Sequence, residues 1–166
     1  MTWKGNRPLE SDEGRALATE LIDSPQQAAL VVRGALEALA THPPHPQFRA
    51  FGPEQAHELR AVYLRGLAAA AIVADVACAE RAFTSVMDYS LHGEAVMFLP
   101  SDRVGLGLIT QALNALENAD SVVHHLALNA HTRPVPEGHE RVLALVRGML
   151  AQAARVRLAR QRPTEE

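Results

Sequence analysis

The sequence predicts an all-α fold: a helical bundle of four or five main helices around a long central helix. Three observations predict it. Apolar residues recur at three- and four-residue spacing through most of the chain. Period-two alternation is too short everywhere to demand a strand, with AVMFL (95–99) the one candidate. Hydrophobic residues make up 48% of the chain but aromatic ones only 4%. The core must therefore be built from Ala, Leu and Val, small side chains that favour helix and let helix axes approach closely. With 166 residues, one domain with a genuine core is expected. We read 1–166 as a single helical domain, with the N-terminal segment 1–10 and the tail 161–166 flexible.

The elements follow in order. A short first helix covers SDEGRALATELI (11–22). In DSPQQAALVVRGALEALATH, Ser24 is placed to cap, Pro25 suits the first helical position and Gln27 completes a capping box. The positions Ala28, Val31, Val32, Ala35, Leu36 and Leu39 then keep helical spacing. HPPHPQFRAFG (42–52) is a connection, because Pro43, Pro44 and Pro46 cannot continue a helix. A third pattern begins at Pro53 and runs to about Leu91. Its first half carries the stripe Ala56, Leu59, Tyr63, Gly66 and Ala70; its second carries Val76, Ala79, Phe83, Met87 and Ser90. At 100° per residue the two stripes differ by roughly 110–130° around the axis. A break near Ala70 would explain the rotation, but no Pro or Gly pair marks one, so we expect one long helix packed on two sides. Gly93 and Pro100 end that pattern. A helix capped by Ser101 or Asp102 then runs to about Asn129, and a last one covers 137 to about 160.

Composition excludes several functions. The single Cys78 rules out an internal disulfide and any cysteine-built zinc site, and its apolar surroundings predict a buried, inert thiol. A net charge of −3 offers no general attraction to nucleic acid. The N-terminus lacks the apolar run of a signal peptide. The most apolar stretch, LAAAAIVADVACA, is interrupted by Asp75 and is short for a bilayer. A cytoplasmic protein without membrane contact is expected.

The candidate site lies in ENADSVVHHLALNAH (117–131). On a helical wheel Ile109, Ala112, Leu116, Ala119, Val123 and Leu126 form the apolar side. Gln111, Asn114, Asn118, Ser121 and His125 fall on the wet side. Glu117, Asp120 and His124 share one flank within about 60°, and Asp120 and His124 stand one turn apart. Carboxylates and a histidine in that arrangement can bind a divalent metal if facing helices add a ligand, and Glu80 is the candidate from the central helix. The spacing is not the Glu-x-x-His of di-metal bundles. Arg60 or Arg33 would partner Glu80 equally well without a metal. Asp88 with His92, and Glu54 with His57, read as solvated pairs. The arginines of the last helix (141, 147, 155, 157, 160, 162) scatter around the wheel. Those near its C-terminus are accounted for by the helix dipole.

No Gly-x-Ser-x-Gly, phosphate-binding glycine loop, Cys-x-x-Cys or His-Glu-x-x-His motif occurs. Arg133 and His139, separated by five residues in RPVPEGH, resemble the Arg-x(4–6)-His spacing of the small helical HEPN ribonucleases. The stretch has two prolines and lacks the polar residue usual after the Arg. The resemblance implies His139 as acid or base and Arg133 as the group that steadies phosphate charge. Three functions are thus in play: a non-catalytic helical interaction or accessory protein acting as a homodimer, a metal-binding bundle, and a HEPN-like ribonuclease. The first is expected, without a cofactor, because the polar groups do not converge and the central helix has apolar surface to spare.

Overall fold

The computed structural model describes residues 8–41, 53–78, 99, 104–127 and 138–161. These residues form five α-helices: α1 (Asp12–Asp23), α2 (Ala28–Thr41), α3 (Pro53–Cys78), α4 (Leu106–Ala127) and α5 (His139–Gln161). They pack into an all-α bundle, and no strand occurs among the described residues.

α3 is the axis of the bundle. It packs against each of the other four helices, while α2 lies against α4 and α4 against α5. The chain composition explains the position. From Gly66 to Asp75 every residue is buried, and Ala68 to Ala71 sit in an unbroken helix. Alanine methyls keep the backbone helical and let neighbouring helices close in from every side. The rotating apolar stripe is therefore one continuous helix through Ala70, surrounded by its own chain. The two-sided apolar character that suggested a second subunit is satisfied internally over this range. α3 is also long and apolar enough to cross a membrane by length and composition alone, but 67% of its most apolar window is buried inside the bundle. The continuation expected to Leu91, and the 95–98 part of the strand candidate, lie outside the described residues; Leu99 is buried in a bend.

The other helices each bury one face on that axis. Leu17, Ala18 and Leu21 from α1, Val32, Leu36 and Leu39 from α2, Ile109, Ala112, Leu116 and Ala119 from α4, and Val142, Val146 and Leu150 from α5 complete the core. Two ion pairs tie α1 to α3 at its rim, Arg60 with Glu13 at 3.8 Å and Arg65 with Glu20.

Several expected boundaries need correction. Pro8–Glu10, expected to be flexible, forms a 3-10 turn with Pro8 and Leu9 buried. Ser11 caps α1 by accepting from the Gly14 N–H at 3.0 Å, and its hydroxyl donates to the Pro8 carbonyl at 2.9 Å. Ser24 makes no side-chain capping bond. It closes α1 instead, donating its N–H to the Glu20 carbonyl at 3.0 Å. The first turn of the next element, Pro25–Gln27, is 3-10 and leads directly into α2. The fourth helix starts at Leu106 rather than next to Ser101 or Asp102, since Val104 and Gly105 are not helical. Val104 is buried, and the Gly105 carbonyl accepts the first helical bond, from Ile109, at 3.2 Å. Gly138, with φ of 87°, turns the chain into α5, a conformation that glycine adopts without steric cost.

α2 and α3 approach closely at Gly66. A β-carbon placed there would lie 2.7 Å from Leu39 Cδ2 and 2.8 Å from its Cβ, whereas one at Gly34 would meet nothing within 4 Å. Gly66→Ala should therefore lower stability by about 1–3 kcal/mol through overpacking. Gly34→Ala should raise it by about 0.5–1 kcal/mol through helix propensity. Urea unfolding of the two variants decides the point; equal effects would mean that α2 and α3 are not in close contact there.

Candidate functional site

The flank singled out on α4 is displayed at the surface, where it meets the start of α5. Glu117, Asp120 and His124 are all exposed. They do not gather around a common point. Asp120 turns toward α5 and accepts from Arg147 Nη2 at 3.0 Å, and the same nitrogen donates to the Leu116 carbonyl. An arginine reaching across two helices can do this because its long stem packs along apolar surface while its planar head finds acceptors. Among the described residues no group of three or more His, Cys, Asp or Glu side chains comes together as a metal-binding set. Glu80 lies outside the described residues. Arg60, considered as its partner, faces Glu13 instead. Of the other histidines considered, His57 is exposed together with Glu54. Asp88 and His92 lie outside the described residues, as does His131 at the end of the 117–131 stretch.

Between α4 and α5 runs an open cleft of about 480 Å³. From α4 it takes Asp120, Val123 and His124, and from α5 His139, Glu140, Leu143, Ala144 and Arg147. His139 thus enters the cleft as the first residue of α5, while Arg133, its counterpart in the ribonuclease-like spacing, lies outside the described residues. The walls divide into an apolar part (Val123, Leu143, Ala144) and a polar part that holds both charges and two imidazoles.

Tyr63 of α3 stands behind this wall. Its ring meets His139 edge to face, with centroids 6.4 Å apart and planes at 84°, an arrangement aromatic quadrupoles favour. The side chain is fully buried, yet its hydroxyl has no hydrogen-bond partner. Burial pushes the phenol well above the usual tyrosine range; the Asp120 carboxylate adds to that rise and the Arg147 guanidinium opposes it. The hydroxyl is thus held neutral beside a charged pair that it does not bond.

Reading α4 alone missed several contacts. Gln111 and Asn118, assigned to the wet side, face α2. Asn118 Nδ2 donates to the Leu39 carbonyl at 2.7 Å and Gln111 Nε2 to the Arg33 carbonyl at 3.4 Å. Their seven-residue separation, two turns on one side of a helix, was the available signal. Arg157 does more than oppose the α5 dipole: Nε donates to the Val104 carbonyl at 3.1 Å and Nη1 to the Ala77 carbonyl at 3.4 Å. Cys78 is half-buried rather than buried, and its thiol donates to the Met149 carbonyl at 3.3 Å. Tyr63 had been counted only as part of the apolar stripe, and no feature of the sequence separates it from the core residues around it.

No protein-family model, curated protein or solved structure matches the chain. The site therefore has to be judged on its own chemistry. Among the described residues it holds an Arg–Asp pair, two imidazoles and a carboxylate at the rim, with a buried phenol behind the wall.

The unpaired hydroxyl makes a signed prediction. Tyr63→Phe removes a buried polar atom that bonds nothing, so stability at neutral pH should be unchanged or higher by about 1 kcal/mol. Because folding raises the phenol's pKa, the parent loses stability as pH rises above about 10, where the unfolded phenol ionises freely. The variant should lose correspondingly less over that alkaline range. Chemical unfolding of both proteins across pH measures this, and a clearly less stable Tyr63→Phe at pH 7 would show that the hydroxyl is bonded after all.

Proposed function

We propose that the chain is a non-catalytic helical interaction or accessory protein, cytoplasmic, that pairs with a second copy of itself through the outer face of α5. One observation carries this reading. Leu145 and Val156 are large apolar residues left 43% and 42% exposed on α5. Eleven residues apart, they fall within about 20° of each other on the helix, roughly three turns along one line. Gly148 and Gln152 lie between them on the same exposed side, and the space over Gly148 is open. Two such faces laid antiparallel bring Leu145 of one copy opposite Val156 of the other, the self-complementary arrangement a two-fold contact requires.

The same geometry brings Arg141 toward Arg160 of the second copy at the rim. Like charges there oppose pairing weakly and are screened by salt, so association should strengthen as ionic strength rises.

The alternatives draw less support. A metal-binding bundle would need a donor beyond Glu117, Asp120 and His124, which do not converge. A ribonuclease of the HEPN kind keeps His139 in a cleft beside His124, but Asp120 and Glu140 line that cleft as well and repel a phosphodiester.

Light scattering on the full chain at micromolar concentration should give twice the monomer mass, more completely at higher salt. Leu145→Glu should return the protein to a monomer with its helical circular dichroism unchanged. A monomeric parent, or a Leu145→Glu variant that still pairs, would overturn the proposal.

A further inference from the structure

We infer that the last turns of α5, residues 155–160, form an arm that leaves the bundle as a unit while the rest stays folded, and that Arg157 is the catch that holds it. The buried stripe of α5 includes Val146, Leu150 and Ala153, and its spacing of four and three residues makes 157 the next inward position. The sequence places an arginine there instead of another apolar residue. Ala153 is the last buried residue described in the helix, and Ala154 is partly buried against the core. From 155 to 160 no residue is buried.

The arm has no single apolar face with which to lie on the bundle. Val156 and Leu158 are 42% and 46% exposed, and two positions apart they leave the helix on nearly opposite sides. The side-chain hydrogen bonds described for the arm all come from Arg157. Its Nε donates to the Val104 carbonyl at 3.1 Å and its Nη1 to the Ala77 carbonyl at 3.4 Å. One acceptor lies in the approach to α4 and the other in the last turn of α3. A planar fork of donors can fasten the arm to both at once.

A segment that buries little apolar surface opens at a free energy well below that of the whole fold. Here the bonds of one residue set how far the arm stays closed. The arm carries Val156, one end of the line proposed for self-association. A closed catch presents that line whole, and an open one only its Leu145 end. This consequence rests on the self-association reading; the catch itself does not.

Amide exchange of the full chain, followed by NMR in rising sub-denaturing urea, tests the arm. Amides 155–160 should share one opening, exchange far faster than those of 146–153 and depend little on urea, because opening exposes little surface. Arg157→Met should speed the arm's exchange roughly tenfold through loss of charge-assisted bonds. Arg155→Met removes the same charge from an exposed position of the same turn and should change it about threefold or less. Helical circular dichroism checks that both variants are folded. Repeating the comparison with Leu145→Glu also present takes pairing out of the measurement, so a failure of self-association would leave the result intact. Three results overturn the proposal: protection that rises gradually from 160 back to 146, a urea dependence of the arm equal to that of 146–153, or equal effects of Arg157→Met and Arg155→Met.

Discussion

The structure depends on how closely four helices can approach α3. Between Gly66 and Asp75 that helix is buried on all sides, a position a Leu- or Phe-rich helix could not occupy without pushing its neighbours apart. Where the axis carries only small side chains, at Gly66 and Ala68 to Ala71, large residues of the neighbouring helices help to fill the space. Leu17, Leu21, Leu36, Leu39, Ile109, Leu116 and Leu150 all come from the outer helices. Close packing of this kind places large groups opposite small ones, and Leu39 over Gly66 is the clearest instance. The low aromatic content follows from the same constraint. The one charged residue among the fully buried positions described, Asp75, lies near the end of that segment, where α3 leaves its tightest enclosure.

Where one helix decides its own structure, the sequence was legible. Pro53 opens α3, the stripe Ala56–Leu59–Tyr63–Gly66–Ala70 is buried as spaced, and the start and type of α1 follow from local signals. Boundaries failed where two local signals competed. Ser24, followed by Pro25, satisfies the usual pattern of an N-cap, but the same residue also lies at the C-terminus of α1 and its backbone serves that helix. Ser101 and Asp102 are good caps in isolation. The helix nevertheless begins after Gly105, because Val104 is drawn into the core and two glycines nearby weaken helix propensity.

Contacts between helices were legible only as directions. A wheel gives the angle at which a side chain leaves its own axis; it does not say which backbone lies within reach. Gln111 and Asn118 leave α4 on its polar side, and that side happens to border α2. Arg147 and Arg157 appeared as scattered charges because α5 has neighbours in more than one direction. Each arginine answers a different one: the carbonyl at Leu116 for Arg147, those at Val104 and Ala77 for Arg157. For the site, Glu117, Asp120 and His124 were read as one flank that could bind a metal, and all three are exposed. Its grouping into one site was not legible, since Asp120's partner comes from a helix nineteen or more residues further along the chain.

The Asp120–Arg147 pair shows why exposure changes the meaning of a contact. Its side chains are 68% and 34% exposed, so as an ion pair it contributes little to stability. Its place is what matters: it joins α4 to α5 within the lining of the cleft. Arg147 is engaged both by this carboxylate and by the Leu116 carbonyl, so its guanidinium is held against the α4 wall of the cleft. Burial is the main reason the Tyr63 phenol resists ionisation; the Asp120 carboxylate adds to that effect and the Arg147 guanidinium opposes it. Asp120 thus acts in two directions, drawing Arg147 across the helix interface and disfavouring ionisation of the phenol behind it.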